Sequence, residues 1–127
     1  MKKLTLSFIL IALLSISALA QAAPKASLAW NKVTTYADGT VLPVTVMPTY
    51  NAYRGLLASG TDQAKINATA ITTNAYLDTT VVANTIYWYS VTAVDPTNNL
   101  ESAKSTFVTF TFRLLAIPGS LTITAAP

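Results

Sequence analysis

The sequence contains no histidine and no cysteine. Without these residues the chain can form neither a Ser-His nor a Cys-His nucleophile pair. It also lacks the side chains that bind metal in most zinc, copper and haem sites. Disulfides are impossible, so a packed core has to stabilise the fold. We therefore expect a protein that is not an enzyme and that carries no cofactor and no metal.

Charged residues are also scarce, with 8 Lys and Arg against 5 Asp and Glu. Lys2 and Lys3 lie in the N-terminal segment described below, so the rest of the chain has six basic residues against five acids, a net charge of +1. Such a chain has no basic stripe for nucleic acid and no polybasic patch for a membrane surface. We expect no nucleic-acid partner.

The few acidic residues bear on an alternative, a small hydrolase that uses carboxylates. Such an enzyme needs two carboxyl groups facing one substrate at about 5–10 Å. Asp38, Asp62 and Asp95 instead occur among turn-forming residues, and Glu101 lies beside a turn. The hydrolase is therefore the less favoured interpretation.

The N-terminal segment has the order of a secretory signal peptide. A positive Met1-Lys2-Lys3 start precedes a mostly apolar stretch over residues 4–14, and small residues follow as Ala20-Gln21-Ala22. We expect cleavage after Ala22, with Ala20 as the alternative. The apolar run is shorter than the roughly 20 residues that span a bilayer, so we expect no stable membrane insertion after cleavage. These features predict a bacterial protein that is secreted, periplasmic or at the cell surface.

From residue 24 onward apolar residues recur at every second position, which is the period of a β-strand. Six strands are predicted, over residues 26–32, 49–57, 65–72, 74–80, 85–94 and 105–114. The clearest is 85–94, where Tyr87, Tyr89 and Val91 share one face and Trp88 lies on the other. This pattern predicts an all-β, antiparallel two-sheet sandwich. Five residues are expected in its core: Trp30, Tyr50, Tyr87, Tyr89 and Val91.

Several spaced motifs resemble the fibronectin type III domain of bacterial secreted proteins. They are Leu28-x-Trp30, Asp38-Gly39 followed by Tyr50-Asn51-Ala52-Tyr53-Arg54, the alternating run from Val81 to Asp95, and Asn99-Leu100-Glu101-Ser102. The resemblance implies an immunoglobulin-like sandwich over residues 23–115 and a non-catalytic module for protein or carbohydrate binding, adhesion or spacing. It also implies that Tyr87 forms a tyrosine corner, in which the hydroxyl bonds to nearby backbone.

The chain departs from that family pattern in two places. Val81 and Ala83 replace the usual leucine and proline. The family's first strand, which normally precedes the Leu-x-Trp strand, has little room before Leu28, whereas a segment like it occurs in the tail over residues 116–127. We expect this tail to hold an assembly strand through which copies join head to tail as a structural subunit, or to fold back onto its own sheet or stay unordered. The strand residues are Ser120, Leu121, Thr122, Ile123 and Thr124.

A possible ligand surface is predicted from the outward-facing Trp88 and the polar turn that follows its strand. Its residues are Trp88, Asp95, Asn98 and Asn99. An exposed aromatic ring can receive a sugar ring or a protein partner. The favoured alternative is structural, with Trp88 packed under the Pro43–Pro48 connection or beneath neighbouring side chains.

The Asn67-Ala68-Thr69 glycosylation sequon is a pattern common by chance.

Overall fold

The computed structural model describes residues 22–116 and Gly119. These residues form seven strands and no helix: β1 (Ala26–Ala29), β2 (Thr49–Gly55), β3 (Ala64–Lys65), β4 (Ala75–Asp78), β5 (Ile86–Asp95), β6 (Leu100–Glu101) and β7 (Val108–Thr111). Within this part of the chain no helix is long and apolar enough to cross a membrane. The leader through Gln21 and the predicted assembly strand, residues 120–124, lie outside the described residues.

The strands form two antiparallel sheets, as expected for a sandwich. One sheet pairs β1 with β4, and the other has the order β3-β2-β5-β6, with β7 pairing the first half of β5. Ile86 of β5 lies opposite Thr111 of β7, and Asp95 lies opposite Leu100 of β6. β6 and β7 therefore pair with opposite ends of β5, and they leave its middle without a strand partner on that side within the described residues.

The predicted strands 26–32, 49–57, 74–80 and 85–94 are present, with bounds shifted by at most three residues. Two predictions were less accurate. Of the predicted strand 65–72, only a short strand at Ala64–Lys65 is present. It ends there because the side-chain oxygen of Asn67, in place of a backbone carbonyl, accepts the backbone N–H of Ala52 at 2.8 Å. Residues 105–114 form a strand only over Val108–Thr111. Before it, the hydroxyls of Ser102 and Ser105 accept backbone N–H groups of β5 at 3.0 and 3.1 Å in place of backbone carbonyls.

The register of β5 is confirmed, because Tyr87 and Tyr89 are buried between the sheets. Tyr50 of β2 is buried as well, and its ring meets Trp30 edge-on with centroids 5.3 Å apart. The expectation of full burial was wrong for Trp30 and Val91, which are only half-buried. Both line a groove on the open side of the sandwich, described below, and this opening leaves them partly accessible.

Local turn chemistry also agrees with the sequence. Gly39 has a φ of 87°, a left-handed conformation that glycine adopts without strain, and its N–H donates to the carbonyl of Tyr36 at 3.0 Å. Near the start of β5, the hydroxyl of Tyr87 accepts the backbone N–H of Val82 at 3.0 Å. This bond ties the connection between β4 and β5 to the core, as expected of a tyrosine corner.

Candidate functional site

A groove of about 550 Å³ runs along β1 on the open side of the sandwich. It lies between β1 of the small sheet and β5 and β7 of the large sheet. Leu28, Tyr89, Val91 and Phe110 contribute apolar surface, and Val108, which is 65% exposed, lies on the β7 side. The groove opens where the two sheets are not bridged by another strand in the described part of the chain.

One wall of the groove is the unpaired edge of β1. The backbone N–H of Trp30 donates to the backbone carbonyl of Asn74 at 3.0 Å, so this pair is hydrogen-bonded across the small sheet. Bonded and non-bonded pairs alternate along an antiparallel ladder. Leu28 and Ala26 therefore bond to β4, whereas Ser27 and Ala29 direct their backbone N–H and C=O groups away from it. Within the described residues these groups have no strand partner, as is typical of an edge strand.

The other wall carries hydroxyls but no charge. Ser102 and Ser105 receive backbone N–H groups of Ala93 and Val91, so their oxygens already act as acceptors. None of the residues that line the groove is Asp, Glu, Lys or Arg. The groove can therefore hold apolar side chains and bond to a backbone, but its walls offer no carboxylate for acid–base chemistry.

Behind the groove, a polar network joins the two sheets. Asp78 of β4 is buried and forms an ion pair with Arg54 of β2 at 2.7 Å. Its carboxylate also accepts the hydroxyl of Tyr89 at 2.8 Å and both the N–H and the hydroxyl of Thr80 at 2.9 and 2.7 Å. The Arg54 guanidinium lies 4.7 Å from the centre of the Tyr87 ring.

The network fixes the charge of its carboxylate. Burial by itself would raise the pKa of Asp78, but the hydrogen bonds from Thr80, Tyr89 and Arg54 outweigh it and lower that pKa below its ordinary value of 3.8. Burial, followed by the hydrogen bond to Asp78, raises the pKa of the Tyr89 hydroxyl. Asp78 is therefore ionised and Tyr89 protonated at neutral pH, and the network joins the sheets rather than moving protons.

The outer face of the large sheet has its own polar cluster around Glu101. The Glu101 carboxylate accepts hydrogen bonds from the hydroxyls of Thr92 and Tyr53 and from the amide of Asn51. These bonds, led by that of Thr92, lower the pKa of Glu101. Lys104 lies over the Tyr53 ring at 4.5 Å. Glu101 thus lies on the outer side of the large sheet, whereas Asp78 of β4 lies between the two sheets, so the two do not form the facing pair that a glycosidase needs.

The residues predicted as a ligand surface do not come together. Trp88 lies on the outer face near one end of β5, half-buried and opposite Gly55. Asp95 is seven residues further along the same strand, which is about 23 Å away. The Pro43–Pro48 connection precedes Thr49, which pairs with Val94, so it also lies at the far end from Trp88. Trp88 therefore does not pack beneath that connection, and its half-burial agrees with the other part of the structural alternative, packing beneath neighbouring side chains.

The turn residues of that predicted surface bond mainly within their own turn. The Asp95 carboxylate accepts the N–H and the hydroxyl of Thr97, and the side chain of Asn98 accepts the N–H of Leu100. Asn99 has a left-handed φ of 58°. Asp95 and Asn98 also line a smaller cleft of about 210 Å³ beside Tyr36 and Leu42. They shape this end of the sandwich without the aromatic platform that was expected with them.

Sequence patterns alone did not reveal the groove. They did predict an open sheet edge, because the family's first strand lacks room before Leu28. The width of the opening could not be foreseen, because it depends on the split between β6 and β7. Among the described residues, no group of three His, Cys, Asp or Glu side chains could hold a metal ion.

Comparison with solved structures identifies a similar fold. A Fn3-like protein from Clostridium thermocellum aligns with a TM-score of 0.52 and 29% sequence identity. The alignment covers 75% of this chain and 83% of that protein. No protein-family model matches the sequence, and no curated protein matches it.

Proposed function

Because this chain carries a fibronectin type III-like domain, we propose that it is a non-catalytic, extracytoplasmic binding module whose ligand is an extended polypeptide segment. The observation that carries this proposal is the uncharged groove along the open edge of β1. The signal-peptide pattern of residues 1–22 supports the extracytoplasmic location. Binding, rather than catalysis, is supported by a groove whose walls hold no carboxylate and a chain without histidine or cysteine.

A polypeptide ligand fits the groove in two ways. The free N–H and C=O groups of Ser27 and Ala29 can form a ladder with an added strand, which is how many sheet edges recognise peptides. Alternate side chains of that strand would then face Leu28, Val91 and Phe110. Backbone bonds would supply affinity for any extended chain, and the apolar surface would select for apolar residues at every second position.

A polysaccharide ligand is less well supported at this groove. Sugar rings stack on accessible aromatic faces, but Tyr50 and Tyr89 are buried to 2% and 4% exposure, and Trp30 is half-buried against Tyr50. Both hydroxyls are already engaged, that of Tyr50 with the N–H of Val33 and that of Tyr89 with Asp78. Trp88 lies on the opposite face of the sheet and cannot contribute to the groove.

Selection from a random peptide display library on the mature protein, residues 23–127, tests this function. We expect selected peptides to carry apolar residues at alternate positions. Their binding should weaken by more than about tenfold in Val108→Lys, which places a charge on the groove wall. Val44→Lys is the matched control, because Val44 is 94% exposed and does not line the groove.

Two results would contradict the proposal. Peptides that bind Val108→Lys and the wild type equally would place the ligand elsewhere. Turnover of sugar polymers or esters by the mature protein, lost on replacing one of its acids, would make it an enzyme. Export is tested separately by N-terminal sequencing of the protein secreted from a bacterial host, which should begin at Ala23.

A further inference from the structure

We infer that the groove beside β1 is occupied by the strand of residues 120–124 from a second copy of this chain, so that copies join head to tail. This inference rests on the proposed function, since it names one particular polypeptide as the ligand. It also brings together the open edge described above and the alternating sequence Ser-Leu-Thr-Ile-Thr.

The chemical fit concerns the two faces of the segment. In an extended chain Leu121 and Ile123 point to one side, and Thr122 points to the other. Two apolar side chains facing the sandwich would meet Leu28, Val91 and Phe110, which line the groove. Neither the segment nor the groove lining contains a charged residue, so no charge would be buried unpaired. Five residues extend about 17 Å, which covers the length of β1.

The direction follows from the way β1 runs. Ala26, at its start, belongs to the same buried cluster as Tyr87, whereas Trp30, just after its end, packs against Tyr50. Tyr87 is near the start of β5, and Tyr50 pairs with Ala93 near its end. A strand antiparallel to β1 must therefore enter at the Trp30 end. We expect antiparallel pairing because it is slightly more stable per residue and every described pair of strands adopts it.

The chain leaves its own domain at the opposite end. Thr111 pairs with Ile86 at the start of β5, and the N–H of Leu114 donates to the Asn84 side chain at 3.2 Å. The link of residues 115–119 spans at most about 17 Å when fully extended. To pair antiparallel with its own β1, the link would first have to run about 13–17 Å along β1 to reach the Trp30 end. No residues would then remain for the reversal of direction. A second copy placed end to end has no such restriction.

Head-to-tail contacts of this kind repeat, because every copy offers one strand and one groove. They produce open filaments unless the rotation between copies closes a ring. The decisive experiment is sedimentation velocity of the mature protein, residues 23–127, over a wide range of concentration. We expect the sedimentation coefficient of the wild type to rise with concentration.

Variants on the two faces of the strand make the test specific. Leu121→Lys and Ile123→Lys should weaken association by more than about tenfold, because each places a charge in the groove. Thr122→Lys is the matched control on the opposite face and should associate like the wild type. Val108→Lys should weaken association from the groove side, whereas Val44→Lys should not.

Three outcomes would overturn the inference. Equal association of the Leu121, Ile123 and Thr122 variants would show that the contact does not use this face. A monomeric wild type whose Ser27 and Ala29 amides become exposed to hydrogen exchange only in Leu121→Lys would show that the tail fills its own groove. A monomeric wild type with those amides always exposed would show that the tail binds nothing, and if display peptides still bind the groove, the proposed function stands without this inference.

Discussion

The hydroxyl of Tyr89 on β5 donates a hydrogen bond of 2.8 Å to the carboxylate of Asp78 on β4, and so links the two sheets through the core. Asp78 is 2% exposed and is also paired with Arg54. With no disulfide available, this link and the aromatic core hold together a sandwich whose small sheet has two strands in the part of the chain that the structure describes. The stability of the domain should therefore depend strongly on Asp78.

Replacement of Asp78 by Asn tests this dependence. We expect a loss of about 3 kcal/mol in the free energy of unfolding, because the Arg54 charge loses its partner in a partly buried site. Urea denaturation of the mature protein measures it. Asp38→Asn is the control, since the Asp38 carboxylate bonds only to Thr40 in an exposed turn. Similar losses for the two variants would show that the inter-sheet network is not a main stabilising element.

Acid should lower the free energy of unfolding of the domain. The pKa of Asp78 is lowered in the folded state, so its contribution is present above its ordinary value of 3.8 and is lost as pH falls through the folded pKa. Hydrogen bonds likewise lower the pKa of Glu101. Urea midpoints measured from pH 6 to pH 2 should therefore fall, and fall less in Asp78→Asn. A wild-type midpoint that rises on acidification would contradict the assigned ion pair.

The tyrosine corner gives a third prediction. Tyr87→Phe removes the acceptor of the Val82 N–H and should cost about 1–2 kcal/mol, as measured by urea denaturation. Tyr36→Phe is the matched control, because Tyr36 is 39% exposed and its hydroxyl forms no hydrogen bond with the described residues. If the two variants are equally stable, the Tyr87 hydroxyl bond contributes nothing to folding.

Two glycines with similar backbone angles offer a matched pair. Gly39 and Gly60 have φ values of 87° and 68°, so alanine at either site should cost about 1–2 kcal/mol. A Cβ at Gly60 would lie 2.2 Å from the Phe107 ring, whereas at Gly39 nothing lies within 4 Å. Gly60→Ala should therefore lower the melting temperature more than Gly39→Ala. The reverse order would show that Phe107 moves away freely.

Sequence periodicity predicted the parts of the fold that depend on one strand at a time. The alternation around Tyr89 gave the correct register of β5, and Asp38-Gly39 gave the correct turn. Features that join distant segments were not predicted: Arg54 and Asp78 are 24 residues apart, and no local pattern indicates that they pair. Asn67 is a further example, because its burial depends on the backbone of Ala52, 15 residues away.

The candidate site was less predictable for the same reason. Trp88 and the Asp95 turn are near in sequence, and they were assigned to one surface because Trp88 faces outward and the turn is polar. They lie towards opposite ends of the ten-residue strand β5 and are therefore far apart in space. The groove arises from β1, β5 and β7 together, so it becomes visible only when the sheets are packed. The tail segment is predicted to be a strand from its alternation and its resemblance to the family's first strand, and both its structure and its pairing stay predictions.

The most direct test of a strand-binding groove is residue-resolved amide hydrogen exchange, followed by NMR, on the Leu121→Lys mature protein with and without a saturating peptide from the display selection. This variant keeps the groove free of its own tail. We predict that the Ser27 and Ala29 amides exchange more than about tenfold more slowly with the peptide bound, whereas Leu28, already bonded to β4, changes little. A bound peptide that leaves the Ser27 and Ala29 amides unprotected would contradict the account.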